Sequence, residues 1–547
     1  MLRRVWKPAA GAALLVGAPT YYYYCRRSKS STKETFDLSV RVQGPDGKPT
    51  REKRVMPLLP KDQIEARLKE HAETVRTQRP GGIIWNQHTA YLAANAPIED
   101  AHASNIVERD LTDPSAPGDL LFYAVMDGHG GFHTSRLLSH ILLPAVALGF
   151  STLINEPSSV VPKGSFLQDL ISRLRLKPSA APPTPFDSNP SYVSSAIQTA
   201  FQTVDAEIID APLRLLAQEL SKKQDSKGLP DLSQHTMALA SMLPALSGSC
   251  ALLALIDTAH RNLYVACTGD SRAVAGVWEE SEDGKGSWRV DVLTDDQTGR
   301  NPNELKRMQS EHPSDEAETV IVRGRVLGGL EPSRAFGDAR YKWSREVQAI
   351  LNKVFLEGNK VPMRSTPPLL KTPPYVTARP EVTHRKLDFL PDPTNKDGFP
   401  KSKSALRFLV LATDGLWDEL SSEDVVSLVG GFLAGLRGTI SKSSLSKLVP
   451  TASGSTVEGK DKRRRDNAGS WAFVDDNIST HLIRNAFGGG DEMKLRQMLS
   501  IPAPLSRNYR DDVTCTVVFW EEGKEEAVQA ATFSAEEQEE KSVRAKL

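Results

Sequence analysis

Short apolar runs that stop abruptly at an aspartate are the feature of this sequence that most constrains its fold. Leu120–Met126 stops at Asp127 and Phe408–Ala412 stops just before Asp414, whereas a third run, Val513–Trp520, begins just after Asp511 and so also has an aspartate at its boundary. Runs of roughly five to eight residues, rich in Val, Leu and aromatic residues and bounded by Gly and Asp, are typical of buried β-strands. Because the apolar runs come in adjacent pairs with few helical segments between them, they favour antiparallel sheets.

Amphipathic segments between the strands predict the helices. They cover Thr134–Leu148, Tyr192–Ile209 and Ser421–Leu436, and the last begins with a Ser-x-x-Asp capping pattern. Two antiparallel sheets packed face to face with long helices outside form a four-layer α-β-β-α sandwich of the α+β class. We predict this fold for a single domain over residues 80–522.

The rest of the chain is expected to surround that domain. Residues 31–79 are polar and predict a linker that carries a charged helix over Lys61–Thr77. Stretches rich in Pro, Ser, Gly or Lys predict insertions into the domain, the last of them disordered, near residues 151–190, 391–404 and 441–468. Residues 523–547 predict a charged tail.

The two ends of the chain suggest different addresses. Residues 1–30 hold six basic residues and no acid, a composition typical of a mitochondrial presequence. The apolar residues 9–25 are marginal for spanning a hydrocarbon core of ~30 Å, so inner-membrane attachment and a secretory signal remain alternatives. The final Ala545-Lys546-Leu547 is close to the Ser-Lys-Leu signal and predicts a minor peroxisomal pool.

Composition and motif content exclude several function classes. Acids and bases balance at 68 each, and no aromatic and basic groove pattern is present, so nucleic acid is not an expected partner. The four cysteines are widely spaced and fit neither a disulfide framework nor a CxxC zinc site. The sequence lacks a GxSxG motif and a cysteine-phosphatase loop, so it gives no sign of a nucleophilic Ser or Cys.

The strand-end aspartates are the candidate metal ligands. A single aspartate after a strand is most simply a turn former, but three strand ends repeat the pattern. If those ends converge, Asp127, Asp414 and Asp511 repel one another unless cations neutralise them. Oxygen ligands suit Mg²⁺ or Mn²⁺. Glu99 and Asp100 add a further acidic pair.

Two such ions have an established use in phosphoester hydrolysis. They lower the pKa of a bridging water, orient it for in-line attack on phosphorus and neutralise the developing charge. His129 lies in the Asp127-Gly-His-Gly-Gly131 motif and is the side chain there that can donate a proton near neutral pH. The sequence therefore predicts a dimetal phosphohydrolase with His129 as the acid.

These motifs, in this order, resemble those of the type 2C metal-dependent protein serine/threonine phosphatase family. The matching segments are Ile98–Ala101, Asp127–Gly131, Ser247–Ser249, Thr268–Arg272, Pro332–Asp338, Thr413–Asp418 and Asp511–Thr514. Five segments resemble the pyruvate dehydrogenase phosphatase branch: Leu92–Asp100, Glu311–Pro313, Arg334–Asp338, Thr480–Arg484 and Tyr509–Asp512.

The resemblance implies hydrolysis of phosphoserine and phosphothreonine on proteins by a hydroxide that bridges two metal ions. Asp127 would bridge both ions, with the Gly128 carbonyl on one of them and Asp414 and Asp511 on the second. Glu99 and Asp100 would act through metal-bound waters, and His129 would be the general acid. The branch implies a mitochondrial phosphoprotein substrate such as the pyruvate dehydrogenase complex.

Two departures from the family pattern affect these expectations. Asn95 stands where many members carry an arginine that grips the substrate phosphate, so the metals or another cation would have to bind the phosphate. Ala245 and Leu246 stand where many members carry an aspartate that helps to hold a third metal, which makes a third site doubtful.

Asp270 and Asp338, in glycine-bearing motifs, are expected to cap turns and orient loops rather than bind metal. Two alternatives to the phosphatase prediction remain at this point: a non-catalytic, phosphatase-like regulatory binding module, and a metal phosphohydrolase of small molecules.

Overall fold

The computed structural model describes residues 34–43, 49–79, 82–109, 118–155, 186–222, 228–281, 286–390, 404–452 and 468–522. Segments 1–30 and 523–547 lie outside the described residues, as do most of the predicted insertion at 151–190 and nearly all of the one at 391–404. Within the described ranges, every helix falls short of the length or the apolar character that a bilayer crossing requires.

Two large β-sheets are stacked at the centre of the molecule. The strands are β1 (Thr35–Gln43), β2 (Pro49–Pro57), β3 (Glu73–Arg79), β4 (Ile83–Leu92), β5 (Ala101–Glu108), β6 (Asp119–Met126), β7 (Gly128–His129), β8 (Gly248–Ser249), β9 (Ala251–Asp257), β10 (Asn262–Thr268), β11 (Arg272–Glu280), β12 (Gly286–Val292), β13 (Ile321–Val322), β14 (Arg325–Val326), β15 (Phe336–Gly337), β16 (Glu381–Lys386), β17 (Ser404–Ala412), β18 (Gly438–Ser441), β19 (Thr451–Ala452), β20 (Ser470–Phe473) and β21 (Val513–Glu522).

Both large sheets are essentially antiparallel, as the sequence predicted. One has five strands in the order β16-β10-β9-β6-β5 and is antiparallel throughout. The other has seven strands in the order β19-β12-β11-β17-β21-β4-β3. The two-residue pairing of β19 with β12 is parallel and is the exception to the predicted pattern.

Helices cover the outer faces of both sheets. The α-helices are α1 (Lys61–Lys69), α2 (His133–Asn155), α3 (Pro190–Lys222), α4 (Ala238–Leu246), α5 (Pro302–Glu311), α6 (Arg345–Leu351), α7 (Asp414–Trp417), α8 (Ser422–Leu433), α9 (Lys442–Leu448), α10 (Ile478–Phe487) and α11 (Glu492–Ser500). Helices α2, α3 and α4 pack on the five-stranded sheet, and α1, α8, α10 and α11 pack on the seven-stranded sheet. The layers therefore run α-β-β-α and confirm the predicted α+β sandwich.

Strand β6 shows why both faces of a central strand are apolar. Phe122 and Ala124 face the core under α2 and α3, whereas Leu121, Tyr123 and Val125 face the core between the two sheets. Successive side chains of a strand point to opposite faces, so a strand covered on both sides is a continuous apolar run. The last residue of β6 therefore delivers the following polar residue to the edge between the sheets.

The prediction of a polar linker with a long charged helix over residues 31–79 was wrong in its structural detail. Strands β1 and β2 pair antiparallel, and Leu38 and Val40 of β1 pack against Ile501. The charged helix ends at Lys69 rather than Thr77, and β3 then pairs with β4 as the edge of the seven-stranded sheet.

The predicted disordered insertion at 441–468 is also ordered where the structure describes it. Ser441 caps α9 by accepting a hydrogen bond from the Ser444 backbone, and Leu445 and Val449 pack into the core under the seven-stranded sheet. Two buried apolar side chains in a short polar segment are enough to fix it here. Residues 453–467 lie outside the described ranges.

Candidate metal centre

Three strand ends from the two sheets converge on one carboxylate cluster. Asp127 follows β6, Asp270 follows β10 and Asp414 follows β17. One carboxylate oxygen from each of these three residues lies within 4.8 Å of the others. The backbone N–H of Asp414 also points at Asp127 Oδ2, at 3.5 Å. Asp127 and Asp414 therefore lie together, which is the condition that the metal-ligand prediction needs, while metal binding itself stays a prediction.

Burial and mutual repulsion make the cluster electrostatically unfavourable as a set of bare carboxylates. Burial, followed by the charge of Asp414, holds the pKa of Asp127 well above its ordinary value. Burial likewise raises the pKa of Asp511 to about 6, although Arg507 opposes the shift. Several buried carboxylates that face one another are a fitting site for divalent cations, because hard cations take oxygen ligands and remove the repulsion.

Asp270 was expected to cap a turn rather than bind metal, but its carboxylate lies in the cluster and makes it a further candidate ligand. Asp270 is buried and accepts a hydrogen bond from the Cys250 thiol over 3.2 Å. Cys250 also holds the backbone of Asp127, because the Cys250 N–H donates a hydrogen bond to the Asp127 carbonyl oxygen over 2.9 Å. In the sequence, Asp270 follows an apolar run just as Asp127 and Asp414 do, so the same pattern marked it as a candidate.

Gly128 is required here by the close approach of a second backbone. A Cβ at this position would stand 2.0 Å from the Glu99 carbonyl oxygen and 2.7 Å from Ser135 Oγ. The Ser135 hydroxyl donates to that same Glu99 carbonyl. The contact fixes the segment that carries Glu99 and Asp100 against the segment that carries Asp127.

Glu99 and Asp100 lie beside the cluster rather than inside its closest triplet. The Thr413 hydroxyl donates to Asp100 Oδ2 over 2.9 Å, so Asp100 is held next to Asp414. Burial and then the Asp512 charge raise the pKa of both Glu99 and Asp100. Their position suits residues that hold water next to a metal ion, which stays a prediction.

Asp511 is half-buried and lies outside the closest carboxylate triplet, and Asp512 holds the backbone of Asn95 and Glu99. Arg507 Nη2 lies 2.7 Å from Asp511 Oδ2. Buried Asp512 accepts hydrogen bonds from the backbone of Asn95 and Glu99 and from the Asn95 side chain, each over 2.9 Å. Sequence reasoning gave Asp512 no role, although the doubled acid before β21 was a signal for it.

His129 is paired with the carboxylate of Asp338. The His129 Nε2 and Asp338 Oδ2 atoms are 2.6 Å apart, with 27% of the histidine side chain exposed. Burial lowers the pKa of His129, but the charge and the hydrogen bond of Asp338, together with the charges of Asp270 and Glu99, outweigh burial and leave that pKa above its ordinary value. The Asp338 side chain makes no cap hydrogen bond, so the predicted turn-capping role is not seen, whereas its contact with His129 agrees with the predicted role of orienting a loop.

Comparison with known proteins gives this geometry a family. A family model described as protein phosphatase 2C matches residues 192–442. A protein phosphatase 2C homolog of Schizosaccharomyces pombe is 35% identical over 468 residues, which cover 84% of this chain and 85% of that protein. The chain belongs to the protein phosphatase 2C family. It is a protein serine/threonine phosphatase, and the carboxylate cluster is compatible with the metal dependence of that family.

Phosphatases named for pyruvate dehydrogenase are also similar to this protein phosphatase 2C chain. The mitochondrial pyruvate dehydrogenase (acetyl-transferring) phosphatase 1 of Saccharomyces cerevisiae is 32% identical over 483 residues, covering 85% of this chain and 73% of that one. The human protein of the same name is 34% identical over 448 residues, with coverages of 78% and 76%. The sequence-based recognition of the family is confirmed.

Proposed function

We propose that this protein hydrolyses phosphoserine and phosphothreonine on a mitochondrial protein in a reaction that needs two divalent cations, Mg²⁺ or Mn²⁺. The observation that carries the proposal is the convergence of the Asp127, Asp270 and Asp414 carboxylates within 4.8 Å. Such a cluster has no structural advantage without cations, because burying like charges together costs free energy.

The residues that would hold the cations come from both sheets. Asp127 would contact both ions, the Gly128 carbonyl would contact one of them, and Asp414 and Asp511 would contact the second. Asp270 is close enough to contribute as well. When bound, the ions would lower the pKa of a water molecule and neutralise negative charge on the phosphoryl oxygens.

The protein's own groups supply the remaining chemistry. Asp338 keeps the His129 imidazole protonated to a higher pH, so the imidazolium can give a proton to the departing serine or threonine oxygen. The buried Asp100 carboxylate is oriented by Thr413. Together with Glu99 it can accept hydrogen bonds from water at the edge of the cluster, which orients that water for attack in line with the leaving oxygen.

The proposed setting is the mitochondrion, and the proposed substrate is a phosphoprotein such as the pyruvate dehydrogenase complex. The support is twofold: the names of similar phosphatases, and the basic, acid-free residues 1–30. Inner-membrane attachment through residues 9–25 belongs to the same proposal.

Purified protein tests the proposal in a phosphorylated mitochondrial extract. We expect Mg²⁺-dependent loss of phosphate from phosphoserine on a small number of proteins, including the α-subunit of pyruvate dehydrogenase. A nucleoside triphosphate and a phosphoserine peptide assayed in parallel separate the alternatives. Faster turnover of the nucleotide would show that the site serves small molecules instead.

A further inference from the structure

We propose that Arg364 binds the phosphoryl group of the substrate and so supplies the cation that position 95 lacks. This inference rests on the proposed function. It concerns a residue outside the sequence motifs, in the segment between α6 and β16.

Asn95 is already hydrogen-bonded to Asp512. Its side-chain Nδ2 donates to Asp512 Oδ2 and its backbone N–H donates to Asp512 Oδ1, both over 2.9 Å. Asn95 is therefore part of the bracket that holds buried Asp512, and it carries no charge. A phosphate monoester is an anion approaching a cluster of carboxylates, so a fixed cation at the mouth of the site would favour its binding.

The guanidinium of Arg364 lies close to Gly130. Its Nη1 lies 3.6 Å, and its Cζ 3.9 Å, from the point where a Cβ on Gly130 would stand. Gly130 directly follows His129, in the loop that starts at Asp127, and both Gly130 and Arg364 are exposed. The guanidinium therefore lies against the solvent side of the segment that carries three of the predicted site residues, Asp127, Gly128 and His129.

The guanidinium of Arg364 is available to bind an anion. Across the part of the chain that the structure describes, the Arg364 side chain forms no ion pair or hydrogen bond. By contrast, Arg340 donates to the Ser365 carbonyl, and Arg507 is paired with Asp511. An arginine fork can give two parallel hydrogen bonds to phosphate oxygens, which makes it the favoured side chain for this role.

The three residues that follow Arg364 are held by hydrogen bonds. Arg340 Nε donates to the Ser365 carbonyl over 2.6 Å, and the Thr366 hydroxyl donates to Gln348 Oε1 over 2.8 Å. Arg345 donates to the Pro367 carbonyl over 2.9 Å. Because the main chain is fixed, less conformational entropy is lost when the side chain binds an anion.

The test compares Arg364→Gln and Arg364→Lys with the control Arg379→Gln, which removes the same charge from another exposed arginine. The substrates are a phosphoserine peptide and p-nitrophenyl phosphate, and inorganic phosphate serves as a product inhibitor. We expect Arg364→Gln to raise both KM values and the inhibition constant of phosphate about tenfold, with little change in kcat. Arg364→Lys should be intermediate and Arg379→Gln should behave as wild type.

Other results would overturn the inference. Unchanged KM and phosphate inhibition in Arg364→Gln, with an active wild type, would remove Arg364 from the site and leave the proposed function standing. A rise in KM confined to peptides with acidic residues next to the phosphoserine would assign Arg364 to a side chain instead of the phosphate. A wild type inactive on every phosphoester would instead contradict the proposed function itself.

Discussion

The Nε2 atom of His129 and the Oδ2 atom of Asp338 are 2.6 Å apart although the residues are separated by 209 positions in the chain. The pair is built around a glycine. A Cβ on Gly248 would stand 2.1 Å from His129 Nε2 and 2.3 Å from Asp338 Oδ2. The Ser-Gly-Ser segment therefore leaves the space in which the proposed proton donor meets its carboxylate.

Asp338→Asn should shift the pH dependence of the reaction. The Asp338 charge raises the pKa of His129, so its removal should lower that pKa and deprotonate the imidazole at a lower pH. We expect the alkaline limb of kcat/KM for a phosphoserine peptide to move to lower pH. With p-nitrophenyl phosphate, whose leaving group needs little protonation, the loss of rate should be smaller. An alkaline limb at the wild-type position would mean that His129 is not the acid.

Gly248→Ala should separate His129 from Asp338 without changing either residue. The added methyl group overlaps both side chains, so we expect kcat on the phosphoserine peptide to fall by about tenfold or more. The matched control is Gly149→Ala in α2, where a Cβ meets only the Ala196 carbonyl at 3.8 Å. Equal activities of the two variants would contradict the importance of the pair.

Asn95→Ala should act on stability more than on substrate binding. The variant removes one hydrogen bond to the buried carboxylate of Asp512, which should lower the free energy of unfolding by about 1–3 kcal/mol. Urea unfolding measures this loss, with Asn105→Ala at an exposed position of β5 as the control. We expect a smaller rise in KM than in Arg364→Gln. A collapse of kcat at wild-type stability would place Asn95 in the chemistry.

Glu304 should make the stability of the protein sensitive to acid. Burial raises the pKa of Glu304, but hydrogen bonds from Arg334 and Arg307 outweigh it and lower the pKa to about 2, against an ordinary 4.5. A carboxylate whose pKa is lower in the folded state stabilises that state at pH values above its unfolded-state pKa. This stabilisation disappears as the pH falls toward the folded-state pKa. The contribution near neutral pH is roughly 3 kcal/mol.

Glu304→Gln should therefore lower the free energy of unfolding by roughly 3–5 kcal/mol at pH 7, because it also leaves Arg334 without its buried partner. The gap between variant and wild type should narrow as the pH falls from 4.5 toward 2. Glu279→Gln breaks an exposed pair with Arg289 and should cost under about 1 kcal/mol. A gap that stays constant with pH would contradict the ionic role of Glu304.

The sequence predicted best what is encoded locally. Buried strands such as β6 and β17 are continuous apolar runs, and their positions followed from those runs. Strand β3 was missed because it is an edge strand whose side chains are mostly exposed, so its seven residues lack an apolar pattern. Its pairing with β4 depends on a partner strand rather than on its own composition.

In the site, too, the sequence predicted the residues that follow strong local patterns. Asp127 and Asp414 end strands with strong apolar signals, and their meeting follows from the sandwich. Asp270 also follows an apolar run, so its place in the cluster could have been predicted in the same way. The contact of Asp338 with His129 joins residues 209 positions apart, which spacing alone does not reveal. Arg364 belongs to no motif, and its place beside Gly130 could be found only from the three-dimensional arrangement.

The central claim is that the carboxylate cluster holds the cations on which the reaction depends. The most direct measurement is phosphoserine-peptide hydrolysis by wild type and Asp127→Asn after chelation and stepwise return of Mg²⁺ or Mn²⁺. We expect wild type to lose activity with the chelator and to recover it fully, whereas Asp127→Asn stays inactive at metal concentrations that saturate wild type. Activity that survives chelation, or full activity in Asp127→Asn, would contradict the account.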